Sequence, residues 1–151
     1  HLMHQLKYKG NKELGKQLGR LMGYDLKKAS RFDSIDLLVP LPLFPSKEKR
    51  RGYNQATILC EGIAEVMNVE ISRDAIIRTQ FTETQTRKGR LERWQNMEGK
   101  FHLMNPEKIR NKNILLVDDV ITTGATLEAC GHELLQASSN LSIATLCYSS
   151  R

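Results

Sequence analysis

Apolar and polar positions follow two different periods along this chain. Between residues 12 and 28, Leu14, Leu18, Leu21 and Met22 recur at helical spacing, and Gly15, Gly19 and Gly23 form a ladder on the same rod. Glycine inside a helix costs up to about 1 kcal/mol relative to alanine, so the ladder predicts a neighbour at very close range. Core packing is the first expectation, and a contact between two copies in a homodimer is the alternative. Residues 35–41, Ile-Asp-Leu-Leu-Val-Pro-Leu, read as a buried strand that stops at Pro40. A loop is expected over 42–52. Ala56, Leu59, Ile63 and Val66 mark an amphipathic helix between Tyr53 and Met67. Short strands are expected at 75–78 and 101–104, the clearest strand at 113–117, a helix at 126–136 and a closing strand at 142–148. In the 126–136 helix Leu127, Cys130 and Leu134 share one face. Strands that alternate with helices predict an α/β fold, a mainly parallel twisted sheet flanked by helices. Residues 79–99 carry almost no apolar periodicity. So long an irregular stretch inside a compact domain predicts a flexible functional loop.

Composition narrows the class. The 151 residues are 40% hydrophobic and 26% charged, enough for one packed domain spanning 1–151, with 1–31 as an N-terminal helical segment. The longest aliphatic stretch, Ile114-Leu115-Leu116-Val117, is far short of the roughly 20 residues a membrane helix needs, so no membrane partner is expected. No secretory pattern opens the sequence. Cys60, Cys130 and Cys147 form no C-x-x-C pair, which supports neither a zinc site nor a disulfide framework and points to a cytoplasmic location. His4, His102 and His132 have no ligand spacing and read as surface or packing residues. The chain opens on His1 rather than methionine and reads as a piece of a longer protein.

The charge adds a partner class. The net charge is +6, from 23 basic against 17 acidic residues, which predicts an anionic partner, either a nucleic acid or a phosphorylated small molecule. Lys47, Lys49, Arg50 and Arg51 form one basic knot, and Arg87, Lys88, Arg90 and Arg93 another. Two compact knots fit phosphate clamps better than a duplex-binding stripe.

The most informative segment runs from Ile114 to Thr126. A buried strand ends in the carboxylates Asp118 and Asp119, followed by a turn, Thr122-Thr123-Gly124, and a helix start, Ala125-Thr126. Ligands of open α/β sheets bind at the carboxyl ends of strands. Helix-start amides favour an anion, threonine hydroxyls add donors, and Gly124 is expected to let the backbone approach without a Cβ. A phosphate is therefore expected over Thr122–Thr126. Adjacent carboxylates need a divalent cation or hydroxyl donors beside it, and a ribose 5-phosphate supplies both chemistries. A helix N-cap with acidic neighbours is the simpler reading, but these residues exceed what a cap requires.

Here the sequence resembles a known family. Val117-Asp118-Asp119-Val120-Ile121-Thr122-Thr123-Gly124-Ala125-Thr126 is similar to the phosphoribosyl-diphosphate (PRPP) motif of type I phosphoribosyltransferases. Lys7-Tyr8-Lys9-Gly10, Val39-Pro40-Leu41-Pro42 with Arg51-Gly52-Tyr53-Asn54-Gln55-Ala56, and Thr82-x-x-Gln85 with Glu92-Arg93-x-x-Asn96 and Gly99-Lys100-Phe101 resemble the ComF-type competence branch. The likeness runs from about Leu6 to Tyr148. It implies the type I phosphoribosyltransferase fold, with 1–31 as hood and 79–99 as the loop that closes over the site. It also implies a four-cysteine zinc module ahead of the Lys-Tyr segment, which these residues lack.

The resemblance implies roles for individual residues. Thr122, Thr123, Gly124, Ala125 and Thr126 would hold the 5-phosphate. Asp118 and Asp119 would serve catalysis, bind the ribose hydroxyls and help place Mg²⁺, itself held mainly by PRPP oxygens and water. Leu41, Pro42, Leu43 and Phe44, with Lys47, Arg50 and Arg51 behind them, would face the pyrophosphate. Arg87 and Lys88, with Arg90 and Arg93, would neutralise it as it leaves. The implied activity is Mg²⁺-dependent transfer of phosphoribosyl from PRPP to an unidentified small-molecule acceptor, a nucleobase or an amine. The alternative is a non-catalytic PRPP or nucleotide binder, or a competence accessory that contacts DNA.

Overall fold

Local sequence signals account for most of the elements. The computed structural model describes residues 4–6, 10–79, 100–138 and 140–150. In chain order it contains α1 (Lys12–Lys27), β1 (Leu37–Pro40), α2 (Pro45–Arg51), α3 (Gln55–Met67), β2 (Glu70–Ile71) and β3 (Ile76–Arg78). These are followed by β4 (Phe101–Leu103), α4 (Pro106–Ile109), β5 (Asn113–Ile121), α5 (Ala125–Leu134) and β6 (Asn140–Tyr148). Asn11 caps α1 by accepting from the Leu14 amide, and Asn54 caps α3 by accepting from the Ala56 amide.

The central sheet has four strands in the order β2-β1-β5-β6, all parallel. The expected α/β class with a parallel sheet flanked by helices is what the chain adopts. One face buries Leu37, Val39, Ile114 and Leu116 against Leu127, Cys130 and Leu134 of α5. The other buries Leu38, Leu115 and Val117 against Leu59, Cys60 and Ile63 of α3, with Leu18 and Met22 of α1 packed on the same cluster. Each of these aliphatic side chains contributes roughly 1.5–3 kcal/mol when fully buried.

Three sequence expectations are corrected. Residues 42–52 are not all loop, because Pro45–Arg51 form α2. Pro45 sits in its first turn, Lys49, Arg50 and Arg51 complement the negative end of its dipole, and Gly52 closes it at φ 85°. The strand expected at 113–117 runs on to Ile121, because β6 pairs with it along that whole length. The two short strands β3 and β4 do not join the parallel sheet. They form a separate antiparallel ribbon with Arg78 opposite Phe101, extended by a Thr79 amide to Lys100 carbonyl bond of 2.6 Å. The expected loop 79–99 begins at this ribbon, and its residues 80–99 lie outside the described residues.

The glycine ladder explains the face that α1 presents. Gly15, Gly19 and Gly23 are the buried residues of α1, whereas Leu21 is 61% exposed, so the apolar stripe is rotated from the expected one. A Cβ on Gly19 would stand 2.3 Å from the Leu59 carbonyl oxygen, and one on Gly62 would stand 2.1 Å from the Lys16 carbonyl oxygen. Backbone meets backbone at this crossing. Glu65 of α3 then latches it through Lys16 at 2.6 Å and Arg20 at 2.7 Å, and the hydrogen bonds from these two side chains hold the Glu65 carboxyl below its usual range. The ladder thus packs within the chain, as the core reading expects.

Gly62→Ala should therefore destabilise the fold by about 1–3 kcal/mol in urea denaturation, the usual cost of overpacking, despite the better helix propensity of alanine. The exposed Gln17→Ala should be neutral. An unperturbed Gly62→Ala variant would show that α1 and α3 do not meet in solution at this distance.

Candidate functional site

The site is built where β1 and β5 part. Their register runs from Leu37↔Ile114 to Pro40↔Val117, and the last contact is the Leu41 amide donating to the Val117 carbonyl at 2.8 Å. After that the 41–44 turn leaves the sheet, and Asn54 pins it by donating Nδ2 to the Leu41 carbonyl at 3.0 Å. β5 continues alone on that side. Its backbone is then served by its own side chains, with the Asp119 amide donating to Asp118 Oδ1 at 2.8 Å and the Val120 amide to Asp119 Oδ1 at 2.9 Å. On the other side, β6 still pairs with β5, and the Cys147 thiol lies 3.7 Å from the Asp119 carbonyl oxygen.

A cleft of about 200 Å³ opens at this split. Of the residues expected at the site, Leu41, Leu43, Arg51, Asp118, Asp119 and the whole run Thr122–Thr126 line it. Pro42 lies instead on a neighbouring crevice of about 420 Å³. Arg50 is exposed on α2 and lines neither. The expected carboxylates, cradle and turn therefore converge, while Pro42 and Arg50 face elsewhere. Arg87, Lys88, Arg90 and Arg93 lie outside the described residues. Among the described residues of the 1–31 segment, none lines the cleft.

Gly124 starts α5 at φ 81°, the left-handed region. The nearest atom to a Cβ added there is Ile121 Cδ1 at 3.7 Å. The backbone angle by itself favours glycine here, and no protein atom crowds the place a Cβ would take. The Ala125 amide has only a long contact, 3.4 Å, to Thr123 Oγ1. The Thr126 and Leu127 amides, which precede the first helical bond from Glu128 to Gly124, take no protein acceptor among the described residues. A helix start with open amides and hydroxyls around it is an anion-seeking surface.

The carboxylate pair has the opposite need. Asp119 is 8% exposed. Burial, and then the neighbouring Asp119 charge, push the Asp118 carboxyl up to about 7. Such a pair calls for a cation or for hydroxyl donors.

Sequence reasoning missed Arg78, Asn54 and Gln55, all of which line the cleft. Arg78 ends β3, and its guanidinium stacks on the Phe44 ring with the carbon 4.0 Å from the centroid, and 5.2 Å from that of Phe101. Burial pulls Arg78 below its ordinary value, and the Asp118 charge opposes that pull. A basic residue closing a strand beside an irregular stretch was the available signal. Asn54 and Gln55 stood in the Arg-Gly-Tyr-Asn-Gln run, where only the resemblance drew attention to them.

Comparison with known proteins gives this geometry a class. The phosphoribosyl transferase domain family matches residues 49–151. DNA utilization protein YhgH of Escherichia coli K12 is 31% identical over 138 residues, 89% of this chain and 60% of the relative. Competence protein ComFC of Bacillus subtilis is 35% identical over 113 residues, 75% of this chain and 44% of the relative. The chain thus spans less than two thirds of the length of either. Among solved structures, the B. subtilis glutamine PRPP amidotransferase complexed with ADP and GMP superposes with a TM-score of 0.62 at 13% identity. That match covers 95% of this chain and 30% of the other. An adenine phosphoribosyltransferase gives a TM-score of 0.56 at 17% identity, over 85% of this chain and 68% of the other. Fold and cleft together define a type I phosphoribosyltransferase domain. The chain belongs to the phosphoribosyl transferase domain family, with ComF-type competence proteins among its relatives.

The Asp118 carboxyl yields a stability test. An acid whose pKa is raised by folding stabilises the fold while it is protonated, and that contribution is lost as pH rises from the ordinary value of 3.8 through about 7. Asp118→Asn should therefore raise Tm at pH 8 by roughly 2–6 °C, with a smaller gain at pH 5. A Tm gain independent of pH would show that Asp118 is not held in this environment.

Proposed function

We propose that this domain binds PRPP and transfers its phosphoribosyl group to a small-molecule acceptor, a nucleobase or an amine. One observation carries the reading: a single cleft offers open amides and hydroxyls at Thr122–Thr126 and, a few residues earlier on β5, the adjacent carboxylates of half-buried Asp118 and buried Asp119. A sugar phosphate matches both ends. Its phosphate takes the α5 amides and its 2- and 3-hydroxyls donate to Asp118 and Asp119. Leu41, Leu43 and Arg51, which line the cleft, face the diphosphate arm.

The donor set also suits Mg²⁺ in one specific way. Among the described residues no cluster of three or more His, Cys, Asp or Glu could hold a metal ion. Asp118 and Asp119 alone would leave most coordination positions to phosphate oxygens and water, which is how Mg²⁺ is usually held beside a diphosphate. Bound there, the cation would neutralise charge on the leaving group. The chain's own residues fix the ribose, hold the 5-phosphate and present guanidinium groups to the diphosphate.

Isothermal titration with PRPP and Mg²⁺ tests the binding, and pyrophosphate release with a panel of acceptors tests the turnover. Asp118→Asn/Asp119→Asn should weaken PRPP binding at least tenfold and more than either single change. A double variant that binds like the parent would remove the ribose role.

A second reading, a competence accessory that contacts nucleic acid, is favoured by relatives named for DNA utilization and competence and by exposed Lys49 and Arg50 on α2, away from the cleft. It predicts an affinity for single-stranded DNA that falls steeply with salt and drops in Lys49→Glu/Arg50→Glu. Salt-insensitive or undetectable binding would dismiss it.

A further inference from the structure

β6 is an edge of the parallel sheet, and its outer side is open. The order β2-β1-β5-β6 pairs it on one side only, in a register with β5 that runs from Asn113↔Asn140 to Ile121↔Tyr148 without a shift. Just beyond it, the Ser149 amide donates to the Ile121 carbonyl at 2.9 Å. Backbone groups alternate in direction along a strand. Those of Ile143, Thr145 and Cys147 therefore face β5, as Ser149 does. The N–H and C=O groups of Ser142, Ala144, Leu146 and Tyr148 point outward. Among the described residues no strand or loop supplies these four amides with an acceptor.

An open edge is a template for another strand, and native sheets blunt it with lysine, proline, a bulge or shortness. β6 uses none of these. Its nine residues, Asn140-Leu-Ser-Ile-Ala-Thr-Leu-Cys-Tyr148, include no charge and no proline, and the constant register leaves no bulge. The opposite edge, β2, is only two residues long and carries Glu70. Both faces of β6 also leave apolar side chains uncovered. Ile143 is 46% exposed on the face where Leu141 packs toward α5, and Tyr148 is 70% exposed on the face where Ala144 and Leu146 pack toward α3.

Charge and symmetry select what pairs there. The chain carries a net charge of +6, so two copies repel each other over much of their surface, and a neutral strand is where they can meet. A partner recognised through opposite charge would find no charge on β6 to answer it. A copy of β6 laid antiparallel about a two-fold axis is self-complementary. With Thr145 on the axis the register is Ser142↔Tyr148 and Ala144↔Leu146, so every outward amide meets an outward carbonyl. Small Ala144 then lies opposite large Leu146, Ile143 opposite Cys147, and no like charges oppose each other.

We infer that β6 is the interface of a homodimer, in which two copies of this chain pair antiparallel through that strand and their sheets join into one. The contact between copies is thus made by a strand edge, while the glycine ladder of α1 is spent within the chain. The cleft opens between β1 and β5, on the far side of β5 from this edge, so both clefts of the dimer stay open.

Sedimentation equilibrium of the 151-residue chain tests the inference. At about 100 µM the wild type should approach twice the 17.2 kDa of one chain. Ser142→Pro should weaken association by roughly 30-fold or more with little change in the thermal melt, because the amide it removes faces away from β5. Thr145→Lys and Thr145→Glu should each be monomeric, and an equimolar mixture of the two should form a heterodimer, since these side chains oppose each other across the axis. A wild type that stays monomeric at about 100 µM overturns the inference, including the case in which the edge takes a strand of a different protein. A dimer indifferent to Ser142→Pro, or a Thr145→Lys and Thr145→Glu mixture that stays monomeric where the wild type is dimeric, places the contact elsewhere and overturns it too. If Ser142→Pro fails to fold, the Thr145 mixture decides.

Discussion

Everything at the site depends on β1 ending before β5 does. Pro40 is the last residue of β1, and the Leu41 amide makes the final bond to β5. Amides of a strand alternate in direction, so the missing Pro40 amide faces the β2 side, where β2 has already ended at Ile71. Proline is therefore tolerated at the end of a central strand, and Pro42 then helps to turn the chain out. Four further residues of β5 run on past the last β1 partner, Val117. The gap this leaves is the cleft. Such a gap between diverging neighbours is the general ligand position in open α/β sheets, and here it exposes Asp118 and Asp119 on the side from which β1 has withdrawn.

The site conflicts with the stability of the fold. Two adjacent carboxylates, one of them 8% exposed, are an expensive thing to put at the end of a core strand. Arg78 nearby is buried enough that its own charge is disfavoured. An ion pair between them would relieve both, yet no such pair forms within 4 Å among the described residues. The charges are instead supported indirectly: backbone amides donate to the carboxylates, and aromatic faces carry the guanidinium. Groups kept apart in this way remain open to a ligand, whereas a satisfied salt bridge would have to be broken first. The remaining core, with Leu38, Leu115, Leu59 and Ile63 almost wholly buried, offsets the cost.

How much of this was legible in the sequence depends on the range of the interaction that decides each feature. Helix α3, the start of β5 and the turn from Thr122 to Thr126 were readable because periodicity and a strand–turn–helix pattern are local. Helix α2 was also encoded locally, by Pro45, the terminal basic residues and Gly52, but the density of charge and proline read as a loop. The full length of β5 was not readable, since Asp118 and Asp119 are poor strand formers and only pairing with β6 keeps them extended. The exposed Leu21 shows the same limit. The face α1 buries is set by how closely the Gly62 backbone approaches, and side-chain hydrophobicity does not report that distance.

Arg78 is the clearest case of a cleft residue hidden from sequence. On its own it is one basic residue among 23, outside both knots that drew attention. Its significance comes from three separate segments meeting: Phe44 at the start of α2, Phe101 at the start of β4, and Asp118 on β5. Antiparallel pairing of β3 with β4 sets Arg78 opposite Phe101, and the turn after Pro42 brings Phe44 to the other contact. Arg50, by contrast, belongs to a conspicuous knot and faces solvent, because a seven-residue helix can direct only some of its side chains toward the cleft. Charge density in sequence thus marked the neighbourhood. Which guanidinium enters the site is decided by the aromatic faces that hold it.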